Sequence, residues 1–260
     1  MAETGVALYD RVVGTAMEFP WIKVDRDSFL RKEFRLYCSD RLDLIVADNP
    51  SMHVSMDLID KIAKDVIQSE RVKVSLISAA TGLPSNPFAA AGLAVADMGQ
   101  YTAICLKTCQ ELAYLYGFPD LVDENGEVSS GTVSILTPLV GIMFGVKLAN
   151  EITAKLCQQI AIQAAKRLSI FALSRPGWYI LAKQVAKFIG VRMSRQLALK
   201  GVTKIAPLIG SVVSGTLTYA AFGPGAERLR KQLRENSRFF KSDGYQIDTG
   251  NEEDLPDVLP

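Results

Sequence analysis

Two acids sit where acids are scarce. Asp97 lies among Val95, Met98 and Tyr101, and Glu111 opens the run Glu111-Leu112-Ala113-Tyr114-Leu115-Tyr116. A carboxylate in such a setting must be paired, hydrogen-bonded or protonated, because an isolated buried charge costs several kcal/mol. The chemistry open to Asp97, with Gln100 and Tyr101 on the same segment, is an ion or proton site or a polar hinge. The competing reading is a helix-packing hydrogen bond. Asp97 and Glu111 are fourteen residues apart, so on one helix they stand roughly 21 Å apart along the axis, too far for a hydrolytic carboxylate pair.

Other reactive residues carry less. Cys105 and Cys109 have the i, i+4 spacing that puts two sulfurs on one helix face, but zinc needs three or four protein ligands. The single histidine, His53, lies in another segment, so both cysteines read as core residues and no metal or cofactor is expected. No Gly-x-Ser-x-Gly elbow, phosphate-binding glycine loop, dinucleotide fingerprint or His-Glu-x-x-His motif is present. The balance falls away from an enzyme.

Charge is strongly segregated although the chain of 260 residues has a net charge of only +1. Residues 1–150 hold 13 Lys+Arg against 19 Asp+Glu, residues 151–241 hold 16 against 3, and residues 242–260 hold 6 acids and no base. A basic block on apolar helices suits an anionic partner. Lysines and arginines beside Trp178, Tyr179 and Phe188 fit anionic membrane lipid better than nucleic acid, for which no helix-turn-helix, zinc finger or aromatic RNP pattern is present. The expected lipid face is Lys183, Lys187, Arg192, Arg195, Arg230, Arg234 and Arg238, the last three on one helix face. The bland alternative is that the acidic N-terminal half packs against this block.

Positioning falls to helices. Apolar content is 48%, mean hydropathy is +0.15, and no run of 18 strictly apolar residues suggests a simple span. The N-terminus lacks a basic region with an apolar core behind it, so no secretory signal is expected. The few, scattered cysteines suit reduced thiols in the cytoplasm. Asp27-Ser28 is read as a helix cap and Asp48-Asn49-Pro50 as a turn. Leu58, Ile59, Ile62, Ala63, Val66 and Ile67 mark an amphipathic helix from Ser55 to near Gly82. Gly82-Leu83-Pro84-Ser85-Asn86-Pro87 is a connector, and the next helix, from Phe88 to Tyr116, closes at Gly117.

Gly141 and Gly145 stand at small-xxx-small spacing beyond a polar loop at 120–131. With Gly210 and Gly215 they predict close helix packing. Ser174-Arg175-Pro176-Gly177 breaks the chain, a basic helix follows over 178–199, and Gly223-Pro224-Gly225 reads as a turn before a last basic helix over 226–240. Thr132-Val133-Ser134-Ile135-Leu136 fits either strand or helix. The fold class is all-α: a weakly ordered start over 1–25, one helical domain over 26–241 with glycine- and proline-broken apolar hairpins at 74–116 and 132–220, and an acidic disordered tail over 242–260.

In this order, several blocks resemble the EcsC family of bacterial proteins. They are Gly82-Leu83-Pro84, Ala96-Asp97, Gln100-Tyr101, Leu112-Ala113-Tyr114-Leu115-Tyr116-Gly117-Phe118 and Gly141-Ile142-Met143-Phe144-Gly145-Val146. Further on come Gly201-Val202-Thr203-Lys204, Pro207-Leu208-Ile209-Gly210 and Val213-Ser214-Gly215-Thr216-Leu217-Thr218-Tyr219. The resemblance covers roughly residues 26–235. It implies a membrane context, at the inner face of a bacterial membrane and beside a transporter, and it implies no reaction. The expected function is therefore a membrane-associating adaptor or regulator. The alternatives are a soluble helical interaction domain, monomeric or oligomeric, and a hydrolase centred on Asp97.

Overall fold

The computed structural model describes residues 13, 16, 19–81, 90–121, 130–166, 181, 183–185, 187 and 207–240. Among them there are helices and turns and no strand. The connector at 82–87, most of the loop at 120–131, the break at 174–177, Arg192, Arg195 and the acidic tail lie outside the described residues.

Helix α1 (Arg26–Phe34) is capped by Asp25, whose Oδ1 accepts from the Ser28 amide at 2.8 Å. The cap expected at Asp27 is thus two residues late; Asp27 instead sits in the first turn, where the helix dipole favours an acid. The turn expected at Asp48-Asn49-Pro50 opens a helix. After α2 (Leu42–Ala47), the Asn49 side chain accepts from the Ser51 amide at 3.0 Å and Pro50 starts α3 (Pro50–His53). Arg26 ties these pieces together. Its guanidinium donates to the carbonyls of Val46 (2.5 Å), Asp48 (2.7 Å) and Phe118 (3.2 Å).

Helix α4 (Met56–Thr81) follows its apolar spacing: Ile59, Ile62, Ala63, Val66 and Ile67 are all buried. Helix α5 (Ala90–Leu115) returns beside it. Its end is a Schellman cap, with the Phe118 amide on the Ala113 carbonyl (3.0 Å) and Gly117 at φ 102°. A β-carbon on Gly117 would also fall 2.6 Å from Asn49 Nδ2. Gly117→Ala is therefore expected to cost about 1–3 kcal/mol in chemical unfolding, from backbone strain plus displacement of the Asn49 cap; a neutral effect would mean that the cap is soft.

The ambiguous segment at 132–136 is helical, within α6 (Ser130–Met143), which also contains Pro138. The two glycines expected to act alike do not. Gly141 is a close-packing position, where a β-carbon would lie 2.9 Å from Ala149 Cβ and 3.3 Å from Leu181 Cδ1. Gly145 ends the helix instead, at φ 80°, with the Val146 amide on the Gly141 carbonyl and only Arg228 as near as 3.8 Å. Its constraint is backbone conformation and not crowding. Gly210 and Gly215 fall in helical backbone, and what surrounds them lies outside the described residues.

Helix α7 (Lys147–Lys166) packs on α6, and α8 (Pro207–Asn236) lies along α4. The turn expected at Gly223-Pro224-Gly225 is absent, because α8 runs straight through it. Pro224 forfeits one backbone hydrogen bond, while the two bare glycines let neighbours approach. The body also starts before residue 26. Val13, Ala16, Ile22 and Val24 are buried, and the Gln110 side chain both donates to the Ile22 carbonyl (2.8 Å) and accepts from the Val24 amide (3.3 Å).

Candidate functional site

Three helices lose their charges at one end of the bundle. From Val74 to Leu106 the sequence has a single charged residue, Asp97, and from Ile205 to Ala226 it has none. Direction is fixed by contacts. On α4, Asp57 and Asp60 meet Arg234 and Arg230 of α8, while Gln68 and Arg71 meet Tyr219, so the two helices are antiparallel. On α5, Tyr116 meets Asp60 and Lys107 meets Glu70, so α5 is antiparallel to α4 as well. The uncharged end of α4, the uncharged start of α5 and the uncharged start of α8 therefore converge. Leu76 (65% exposed) and Val72 (42% exposed), one turn apart on α4, present apolar surface toward that end.

Beneath it lies a buried ionic bridge. Lys107 Nζ donates to Glu70 Oε1 at 2.9 Å and to Glu111 Oε1 at 2.5 Å, and Lys73 Nζ reaches the same Glu70 oxygen at 2.6 Å. The Glu70 and Glu111 side chains are 4% and 8% exposed, and Glu111 Oε2 is buried with no hydrogen-bond partner. The two carboxyls respond oppositely. Burial pushes both up, but Lys73 and Lys107 outweigh it at Glu70, which is lowered. At Glu111 burial wins over Lys107, and the carboxyl is raised from 4.5 to about 7. The fold thus holds a proton on Glu111 that the unfolded chain releases, so this group works against stability as pH rises from about 4.5 to 7. Glu70 works the other way: its support is lost as pH falls through its lowered value.

One level further down, Asp60 gathers three donors: the Tyr116 hydroxyl, Arg230 at 2.8 Å and Arg234. Arg230 also donates to Glu227 at 2.7 Å and is buried. Burial pushes the Tyr116 phenol up to about 12, so it stays a donor at all ordinary pH values. The expected lipid face is corrected here. Arg230 points into the protein, and Arg234, though half-exposed, is held by Asp57 and Asp60. The acidic N-terminal half packs against this part of the basic block, as the bland alternative required. Lys183 and Lys187 are exposed, while Leu181 and Val185 of the same stretch are buried, and Arg238 is exposed over the Phe239 ring at 5.1 Å.

Of the polar site expected around Asp97, the described side chains are those of Gln100, Tyr101 and Glu111. Gln100 is half-buried; Tyr101 is buried between Phe144 and Phe222, each 6.4 Å away between ring centres. Asp97 lies on α5 as the single charged residue of its run, with its side chain outside the described residues. Glu111 belongs instead to the bridge with Glu70, which sequence spacing on one helix does not reveal. The i, i+4 pair Lys107–Glu111 was the readable half of it.

Comparison of the chain with protein-family models, curated proteins and solved structures finds no match. Its own geometry therefore carries the functional argument. Cys109 Sγ rests 3.6 Å from Met143 Sδ, with burial pushing the thiol well up. Among the described residues no group of three His, Cys, Asp or Glu side chains stands ready for a metal ion. His53 sits at the surface against Asp48, 3.3 Å away. A cleft of about 470 Å³ beside Arg26 has Asp27, Asp48 and Asp120 in its walls, while Arg26 is spent on backbone carbonyls, so it is unsuited to an anion.

Proposed function

We propose that this protein attaches to an anionic membrane surface through the uncharged end of its helix bundle, entering one leaflet without crossing it. The observation that carries this reading is the convergence at one end of three helix segments whose one charged residue is Asp97, with Leu76 exposed there and Val72 at its base. From Val74 to Thr81, helix α4 extends about 12 Å at roughly 1.5 Å per residue. That depth matches the headgroup and upper acyl region in which interfacial helices lie. Among the described residues no helix is long and apolar enough to cross a membrane. Arg71 stacks on the Tyr219 ring at 3.6 Å near the base of this end, an amphipathic pair suited to the water boundary. Exposed Lys183 and Lys187 supply cations for anionic headgroups, whereas Arg238 stands past the opposite end of α8. The EcsC resemblance adds a setting at the inner face of a bacterial membrane, with a transporter or other membrane protein as the object of adaptor or regulatory action; no catalysis is assigned.

The test is flotation with phosphatidylglycerol-containing vesicles. The wild type should float, and Val72→Glu with Leu76→Glu together should weaken partitioning at least about tenfold (~1.4 kcal/mol). The double variant should keep its melting temperature, since both side chains already face solvent. Full binding by the double variant would overturn attachment through this end. A wild type that never floats would leave the soluble interaction domain as the better account.

A further inference from the structure

The buried bridge between α4 and α5 has no need to be where it is. It joins the two helices at the level where their charges thin out: Lys73 is followed by a run whose one charged residue is Asp97, and Lys107 ends it. Its four side chains are two acids and two lysines, so with both acids ionised it is neutral. Glu111 Oε1 is held by Lys107, but its Oε2 is buried without a donor, an arrangement that suits a carboxyl carrying its own proton. Lys73, 55% exposed against 19% for Lys107, marks the wettest part of the bridge and the side from which a proton from water arrives.

The groups that face Glu111 can be named element by element. Lys107 comes from α5 itself, and Glu70 and Lys73 come from α4. Helix α6 carries no charged residue. On α8, Arg230 is engaged with both Asp60 and Glu227. On the α1 side, the Tyr114 hydroxyl turns away to the Val24 carbonyl and Asp120.

We propose that Glu111 couples membrane attachment to proton uptake: when the uncharged end enters an anionic leaflet, the Glu111 carboxylate takes a proton from water and the bridge passes from neutral to +1. Lipid packed above the bridge removes water from it and disfavours the ionised acid, and the anionic surface favours the added positive charge. The step is one proton gained at Glu111 with no other bond changed. This inference rests on the attachment reading above and adds its regulation.

The experiment is vesicle partitioning between about pH 8 and pH 6, with wild type, Glu111→Gln and His53→Gln. Wild type should bind about fivefold more tightly at the acid end, the effect of about one added charge near the surface. Linkage to one proton limits the slope to tenfold per pH unit. Glu111→Gln should bind tightly and equally across the range, and His53→Gln should keep the wild-type slope, which separates the bridge from the one histidine. Independently of any variant, mixing wild type with vesicles in weak buffer near pH 7 should take up a fraction of a proton per bound protein. Binding that ignores pH, a slope that survives in Glu111→Gln, or no proton uptake overturns the coupling and leaves attachment standing. No binding at any pH overturns attachment itself, and the coupling with it.

Discussion

Asp60→Ala should destabilise the protein by about 3–5 kcal/mol, the range for breaking a buried ion pair by removing one partner. Asp60 is 5% exposed and serves three donors at once. Without it the Arg230 guanidinium stays buried with only the half-exposed Glu227 carboxylate, and the Tyr116 hydroxyl loses its acceptor. Guanidinium unfolding measures the loss. Replacing Asp60 and Arg230 together by leucine and methionine should cost less than Asp60→Ala alone, because no uncompensated charge is then left inside. Asp57→Ala is the control: its carboxylate is 91% exposed and pairs with Arg234 at 3.3 Å, so its loss should fall within about 0.5 kcal/mol. A cost below about 1 kcal/mol for Asp60→Ala would mean that the cluster is wet and held loosely.

Gly225→Ala should cost about 2–3 kcal/mol, although alanine in place of a helical glycine ordinarily gains up to about 1 kcal/mol. The new β-carbon would lie 2.7 Å from the Met143 carbonyl oxygen, with the Met143 carbonyl carbon and Cα close behind at 3.5 and 3.7 Å. Those atoms are backbone at the end of α6. Arg228, three residues along α8, donates to the Met143 carbonyl at 2.5 Å and so pins the same point. Neither helix can retreat without giving up that contact. Gly223→Ala is the comparison: its β-carbon meets the Arg71 side chain at 2.8 Å, a long side chain able to swing aside at the expense of its hydrogen bond to the Tyr219 carbonyl. Thermal melts should rank Gly225→Ala as the more harmful. Equal or inverted effects would show that α6 and α8 slide past one another more easily than their contacts imply.

The apolar spacing of α4 and the glycine stop at residue 117 were legible because both are local: helical period and a left-handed cap depend on neighbours in sequence. Pro224 and Gly225 misled for the same reason. As a tripeptide, Gly-Pro-Gly signals a turn, whereas in the fold the need for a bare backbone against Met143, together with the contacts that hold α8 along α4, overrides that signal. The arginines misled through distance. Spacing puts Arg230 and Arg234 on one face and says nothing about what that face meets; Asp57, the partner of Arg234, stands 177 positions away. The bridge was half readable. Lys107 and Glu111 are a visible i, i+4 pair, but only the packing of α4 on α5 adds Glu70 and turns a surface pair into a buried one.

The long antiparallel seam between α4 and α8 also orders events during synthesis. Its two sides are joined by contacts 151 and 177 positions apart, Gln68 to Tyr219 and Asp57 to Arg234. At about 5–20 residues per second, a ribosome delivers α8 roughly 10–30 s after α4. Through that interval Asp60 has no guanidinium and the apolar face of α4 lacks its main cover, so the early chain is a half-built bundle seeking a surface. A chaperone fits that need during translation.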